Sequence, residues 1–177
     1  MGNFMTPPRT PSASAVEATH LVMPGDTNML GTAFGGKIMQ WMDIAASVAA
    51  GRHSGGASVT VAVDDLHFAR PIRMGDVVIL KACVNFAGRT SMEVGVRVMR
   101  EDRRTRQLEH CLSGYFTFVG VDDAGRPTAV PGIVARTDLE HKRYAAAAER
   151  QLRRVRDRPT RSSPESASAV DHAERSK

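Results

Sequence analysis

Phe34–His53 reads FGGKIMQWMDIAASVAAGRH, and the architecture turns on this stretch. Its twenty residues are rich in Ile, Met, Trp and Ala and apolar on most faces, which predicts one buried helix. Gly51 and the Gly55-Gly56 pair are expected to end it. Beyond it the period changes to two. Ser58–Phe68, Asp76–Phe86, Ser91–Arg100 and Leu108–Val119 are each strand-length and rich in β-branched or aromatic residues. Pro71, Gly75-Asp76, Gly88-Arg89 and the charged run Glu101–Arg106 separate them. Ahead of the helix lie a further strand candidate, Val16–Val22, and a turn-rich loop, Pro24–Gly31. One strand, one long helix and four successive strands predict an α+β protein, an antiparallel sheet wrapped around a single helix. A doubly wound α/β fold would need helices between the later strands, and the spacing leaves no room.

The chain has 177 residues, enough for one domain with a real core. Residues 1–15 carry Pro7, Pro8 and Pro11 among Ser and Thr and read as a mobile, disordered leader. The domain itself spans 16–136. A basic helix is expected over 137–157, and 158–177 is polar enough to read as a disordered tail. Cys83 and Cys111 make no disulfide framework and no zinc spacing. The leader lacks the apolar region of a signal peptide, and Gln40, Asp43 and Ser47 break the longest apolar stretch, Ile38–Ala50. A soluble protein of the reducing cytoplasm, without membrane contact, is the expectation.

The formal charge is +5, but residues 142–161 hold eight basic residues against Glu149 and Asp157, more than the whole excess. The remainder is close to neutral, so a uniformly basic nucleic-acid surface is disfavoured. A solvated basic helix end is the simpler reading of that segment. Contact with an acidic or phosphate-bearing partner is its rival.

Asp43 is the most informative residue. A carboxylate set among Trp41, Met42, Ile44 and Ala45 is costly to bury without a partner or a purpose. A plain polar stripe of Gln40, Asp43 and Ser47 would explain it structurally; a general base would explain it chemically. Ser47 shares its helical face and could help hold a water there. The second feature is the helix start, where Asn28, Gly31, Phe34, Gly35 and Gly36 form a turn-rich entry. Unpaired N–H groups at a helix N-terminus suit a carbonyl oxygen gaining negative charge, although a Gly-Gly pair also serves close packing. Gly35 and Asp43 are eight residues apart, about 12 Å of helical rise. Both groups must lie about 3 Å from a reacting centre. One helix does not supply both to one substrate, so two helices running antiparallel across a dimer are expected.

Other reactive types say less. The six histidines show no HxH or HExxH spacing, so no metal site is read. There is no GxSxG, P-loop or GxGxxG. Gly88-Arg89-Thr90-Ser91 pairs a cation with two hydroxyls, suited to a phosphate or simply to a hairpin turn. Arg70, ahead of Pro71, is placed to reach an anionic group.

With these residues in view the chain resembles the hotdog-fold acyl-CoA thioesterases of the acyl-CoA hydrolase branch. The resemblance rests on Asn28-x-x-Gly31-x-x-Phe34-Gly35-Gly36-x-x-Met39-x-x-x-Asp43. Thr60-Val61, Phe68-x-x-Pro71, Gly75-Asp76-Val77 and Gly88-x-Thr90-Ser91 add to it, and it covers roughly Thr19–Pro131. It implies a sheet wrapped around the central helix, pairing of two such units, and hexamers built as trimers of dimers. It also implies hydrolysis of an acyl-CoA to free acid and CoA, with CoA present only as part of substrate and product. In that family the acid at Asp43 is catalytic, the Asn28 position contributes from the facing unit, and the glycine-rich helix start polarises the thioester carbonyl. Thr60, Arg70 and the turn Gly88, Arg89, Thr90 and Ser91 are carried over as substrate-binding positions, the turn holding the nucleotide end of CoA. Asp64-Asp65 departs from the pattern, where a single acid is expected. No aspartate has His five residues later, so the related hydratase chemistry is disfavoured. The competing class is a non-catalytic acyl-CoA-sensing hotdog module whose basic C-terminal segment contacts nucleic acid.

Overall fold

The computed structural model describes residues 7–102 and 104–157. Five strands form one antiparallel sheet in the order β1-β3-β4-β5-β2. They are β1 (Val16–Leu21), β2 (Ser58–Val63), β3 (Val77–Ala87), β4 (Ser91–Glu101) and β5 (Leu108–Gly120). The helix α1 (Gly35–Ser54) crosses one face and connects the two edge strands; α2 (Asp138–Arg156) follows the last strand.

Alternation along the strands decides which face receives α1. Val78, Leu80, Ala82 and Val84 of β3 and Met92, Val94, Val96 and Val98 of β4 are buried. With Leu112, Phe116 and Phe118 of β5 they enclose Ile38, Trp41, Met42, Ala45, Ala46 and Ala49 of α1. The expected order of elements is the observed one, with three local differences. The helix runs through Gly51 and stops at Gly55, whose φ of 75° is left-handed. The helix is not buried on most faces: Met39, Ile44 and Val48 form an exposed apolar flank. The second strand ends at Val63 rather than Phe68. A bulge between Thr60 and Ala62 breaks its register, and Asp64 turns its carboxylate to Arg154.

The Pro-rich leader is tethered over residues 9–15 rather than mobile. The Arg9 guanidinium donates to the carbonyls of Arg52 (2.6 Å) and His53 (2.8 Å), orphan acceptors in the last turn of α1. Buried Ser14 ends a 3₁₀ turn, Pro11–Ser14, and its hydroxyl accepts the Val84 N–H at 2.9 Å. Residues 1–6 and the predicted tail, 158–177, lie outside the described residues.

The C-terminal helix is not a free basic rod. Thr137 and Glu140 cap its start reciprocally, the Glu140 carboxylate accepting the Arg136 and Thr137 N–H groups. Glu93, 1% exposed on the outer face of the sheet, pairs with Arg150 (2.7 Å) and Arg154 (2.5 Å). Arg150 also lies over the Tyr115 ring, 3.6 Å from its centre. Two of the expected solvated cations are therefore spent holding α2 on the sheet. A buried carboxylate stripped of such partners is strongly destabilising.

His53 closes the far end of α1. It is fully buried and its Nε2–H donates to the Pro131 carbonyl at 2.8 Å, while Nδ1 has no partner among the described residues. Burial holds the imidazole below its usual range, opposed by the Pro131 bond and reinforced by nearby Arg9. The folded state thus keeps His53 neutral to a lower pH than the unfolded chain does, which takes up a proton below about pH 6.5. Unfolding free energy is expected to fall as pH drops below that point, with a slope of up to about 1.4 kcal/mol per pH unit from this group. Denaturant titrations at several pH values check it: His53→Gln flattens the slope between pH 6.5 and 5 by up to one proton.

Candidate functional site

The loop before α1 is built by Asn28. Its Oδ1 accepts the Leu30 N–H (2.9 Å), the Thr32 N–H (3.3 Å) and the Thr32 hydroxyl (3.1 Å), and its own N–H donates to the Thr32 carbonyl (2.8 Å). Gly31 takes φ 70° at the tip, beside fully exposed Met29. The acceptor of the Asn28 side chain is consumed in shaping the loop. Its amide NH₂ has no acceptor among the described residues and is the group left for a ligand.

The loop delivers α1 with its first N–H groups open. Phe34 is the N-cap residue, no side chain caps it, and no acid occupies the first turn. Phe34 N–H donates to Asp26 O (2.8 Å), and its own carbonyl accepts the Lys37 and Ile38 N–H groups. Gly35 and Gly36 N–H have no acceptor among the described residues. Gly35 borders a cleft of 340 Å³ shared with Ile38, Phe68, Pro71 and Arg70. An added Cβ would meet Phe68 at 3.7 Å at Gly35, but Phe34 at 2.9 Å at Gly36, so a side chain at the second glycine must move the exposed Phe34 ring.

Two turns further along, Asp43 is half-buried rather than buried. Its Oδ1 accepts the Thr60 hydroxyl from β2 at 2.8 Å. Ser47 is exposed and makes no hydrogen bond to Asp43, so Thr60, read from sequence as a substrate-binding position, is the carboxylate's partner here. That bond fixes the carboxylate rotamer and leaves Oδ2 for a water or a carbonyl carbon. Thr60→Val is expected to lower turnover by about tenfold, as befits a hydrogen bond to a charged group. Thr60→Ser should restore most of it; a thioester-cleavage assay on both variants reads the difference.

The other positions are not gathered at Asp43 within one chain. Arg70 sits 3.8 Å from Glu109, which Arg100 also holds. The Gly88–Ser91 segment is the β3–β4 turn, closed by Gly88 N–H to Ser91 O at 2.8 Å. The Arg89 and Thr90 carbonyls accept from Val130 and Gly120, which leaves the Arg89 guanidinium exposed. Met92 and Thr60 flank Phe118 in register, so the turn stands two strands from Thr60, roughly 10 Å at ordinary strand spacing. Sequence reasoning missed the Glu93–Arg150–Arg154–Asp64 network. Its one local sign was the i, i+4 spacing of the two arginines on a single helix face.

A curled antiparallel sheet around one helix, carrying an oriented carboxylate and an uncapped glycine-rich helix start, is the hotdog class of protein. The thioesterase superfamily model matches residues 30–107. The uncharacterized acyl-CoA thioester hydrolase YkhA of Bacillus subtilis is 39% identical over 137 residues, 77% of this chain and 80% of that one. Acyl-CoA hydrolase from Staphylococcus aureus, in complex with butyryl coenzyme A, coenzyme A and coenzyme A disulfide, superposes with a TM-score of 0.81 at 36% identity, covering 85% of this chain and 92% of that chain. An apo-hexameric acyl-CoA thioesterase gives 0.82 at 35% identity, covering 85% and 97%. The chain belongs to the thioesterase superfamily, in its acyl-CoA hydrolase branch.

Proposed function

We propose that this protein hydrolyses the thioester bond of an acyl-CoA, releasing the free acid and CoA. The observation that carries the reading is the pairing of an Asp43 carboxylate, oriented by Thr60, with open N–H donors at Gly35 and Gly36. Among variants of the Staphylococcus aureus hydrolase, an asparagine, an aspartate and a threonine are each replaced by alanine, the three residue types that organise this site.

Asp43 serves in one of two roles. As general base it takes a proton from water, whose oxygen attacks the thioester carbon. As nucleophile it attacks that carbon itself, expulsion of CoA leaves an acyl-aspartyl anhydride, and water then cleaves that anhydride. In either case the carbonyl oxygen gains negative charge against the Gly35 and Gly36 N–H groups and the Asn28 amide. The C–S bond then breaks and CoA leaves as thiolate to be protonated. The chemistry asks for no metal and no cofactor besides the CoA carried by the substrate. Arg70 and the Gly88–Ser91 turn supply cations and hydroxyls for its phosphates.

Assembly completes the site. One of the two edges of the sheet is β2, where Val59, Val61 and Val63 are exposed, and the flank of α1 beside it exposes Met39, Ile44 and Val48. A second copy covering both surfaces brings its own helix start toward Asp43 and forms the dimer; three such dimers give a hexamer. No helix among the described residues is long and apolar enough to cross a membrane, and we place the protein in the cytoplasm. Thiol release across a panel of acyl-CoA chain lengths tests the activity. Absence of release from every acyl-CoA, by a protein shown to be folded and assembled, overturns it.

A further inference from the structure

The outer face of the sheet, opposite α1, carries a cleft of 630 Å³ between the strands and the first half of α2. Arg97 rises from its floor, and Lys142 and Arg143 enter from the helix above. Lys81, beside Arg97 on β3, is spent on Glu17 at 3.1 Å. The other three cations make no ion pair among the described residues; Arg143 has only the Cys83 sulfur, at 3.9 Å. Like charges gathered under one helix repel each other, and a bound anion removes that cost.

A second feature of the floor points the same way. Asn85 is 5% exposed and lines the cleft where a bulge interrupts the β3–β4 pairing. Its Oδ1 faces the Cys83 thiol at 3.6 Å, but its amide nitrogen has no acceptor among the described residues. Gly95 makes room for it, since a Cβ there would lie 2.4 Å from Asn85 Nδ2. The side chain of Asn85 thus offers an amide donor with no acceptor among the described residues at the bottom of a cationic cleft, with the Ser113 hydroxyl, bonded to His110 Nε2 at 2.9 Å, on the same wall. Guanidinium forks, an ammonium, an amide and a hydroxyl match the many acceptor oxygens of a phosphate group. The volume exceeds what one phosphate fills.

We propose that this cleft binds a phosphate-bearing small molecule, held by Arg97, Lys142 and Arg143 with Asn85 donating from the floor. The sheet separates it from Asp43, and it stands independently of the proposed hydrolysis. Two sources carry this chemistry: the phosphates of CoA and a free phosphate compound.

Calorimetric titration of the full-length protein with inorganic pyrophosphate tests the proposal, with the Arg97→Gln/Lys142→Gln double variant beside it. Both replaced side chains are exposed, so the variant should fold, which its circular dichroism verifies. Pyrophosphate should bind the parent protein with an affinity that falls as salt rises, and the double variant should bind at least about tenfold more weakly. Thiol release at saturating acyl-CoA and without pyrophosphate should be equal in the two proteins, since the sheet separates the cleft from Asp43. Pyrophosphate displaced by CoA assigns the cleft to CoA phosphates; binding that survives saturating CoA assigns it to a free phosphate compound. No binding by the parent protein, or equal affinity in the double variant, overturns the proposal.

Discussion

Replacing Asp43 by Asn should reduce kcat for acyl-CoA hydrolysis by roughly 10²–10⁴, the range a positioned general base contributes. The substitution keeps size and shape. The Asn side-chain oxygen still accepts the Thr60 hydroxyl, now 2.8 Å from Asp43 Oδ1, so the rotamer is retained. What disappears is the negative charge and basicity that both routes to the acid require. KM should change little, because a thioester has no cation for Asp43 to bind in the ground state. Stability should be nearly unaffected, since the residue is only half-buried. A single-turnover reaction in ¹⁸O water bears on the two routes: label in the Asp43 carboxylate identifies the covalent route with water attacking the anhydride at its aspartyl carbon, whereas the general-base route labels only the product acid. Undiminished thiol release by Asp43→Asn would remove this residue from the mechanism.

The parts of the candidate site that the sequence could suggest are those lying within one continuous element. Asp43 stood out because a carboxylate interrupts an apolar helix, and Gly35-Gly36 because they open that helix; both judgements need only neighbouring residues. The order of elements along the chain followed from alternating apolar residues, a pattern that repeats every second residue and survives errors at strand ends; the spatial order of the strands came only with the structure. What failed depended on partners distant in sequence. Thr60 reaches Asp43 from another element, next to a bulge that periodicity does not reveal. The strand end at Val63 is set by Asp64 turning to Arg154, ninety residues away. The basic C-terminal segment looked solvated because its charges were visible and its counter-charge was not. Glu93 shares its strand with Arg97, Arg100 and Glu101, and only the fold reveals that α2 covers it. The leader was misjudged for the same reason: Arg9 binds carbonyls more than forty residues downstream.

Gly36→Pro should lower turnover by roughly 10²–10³, the cost of one oxyanion donor. Proline is tolerated in the first turn of a helix, where its missing N–H had no helical partner, so α1 should persist. The ring must displace the Phe34 side chain, which an added Cβ would meet at 2.9 Å, but Phe34 is 60% exposed and can move. Gly35→Ala is the control: its Cβ finds Phe68 at an ordinary 3.7 Å and its N–H survives, so activity should stay within a few-fold. The stronger consequence comes from mixing. Within one chain Gly36 and Asp43 are seven residues apart on a continuous helix, about 10 Å of rise, so a thioester held at one cannot be attacked from the other. If each site joins Asp43 of one copy to the helix start of its partner, a dimer of one Gly36→Pro chain and one Asp43→Asn chain contains one doubly damaged site and one intact site. Such heterodimers should recover about half the specific activity of the parent, since independent sites add. If each site instead drew both groups from the same chain, every site in the mixture would keep one lesion and activity would remain at the level of the single variants. Differential tags on the two chains establish that mixing occurred, so a lack of recovery in confirmed heterodimers removes the shared site while leaving the roles of Asp43 and Gly36 open to the single-variant assays.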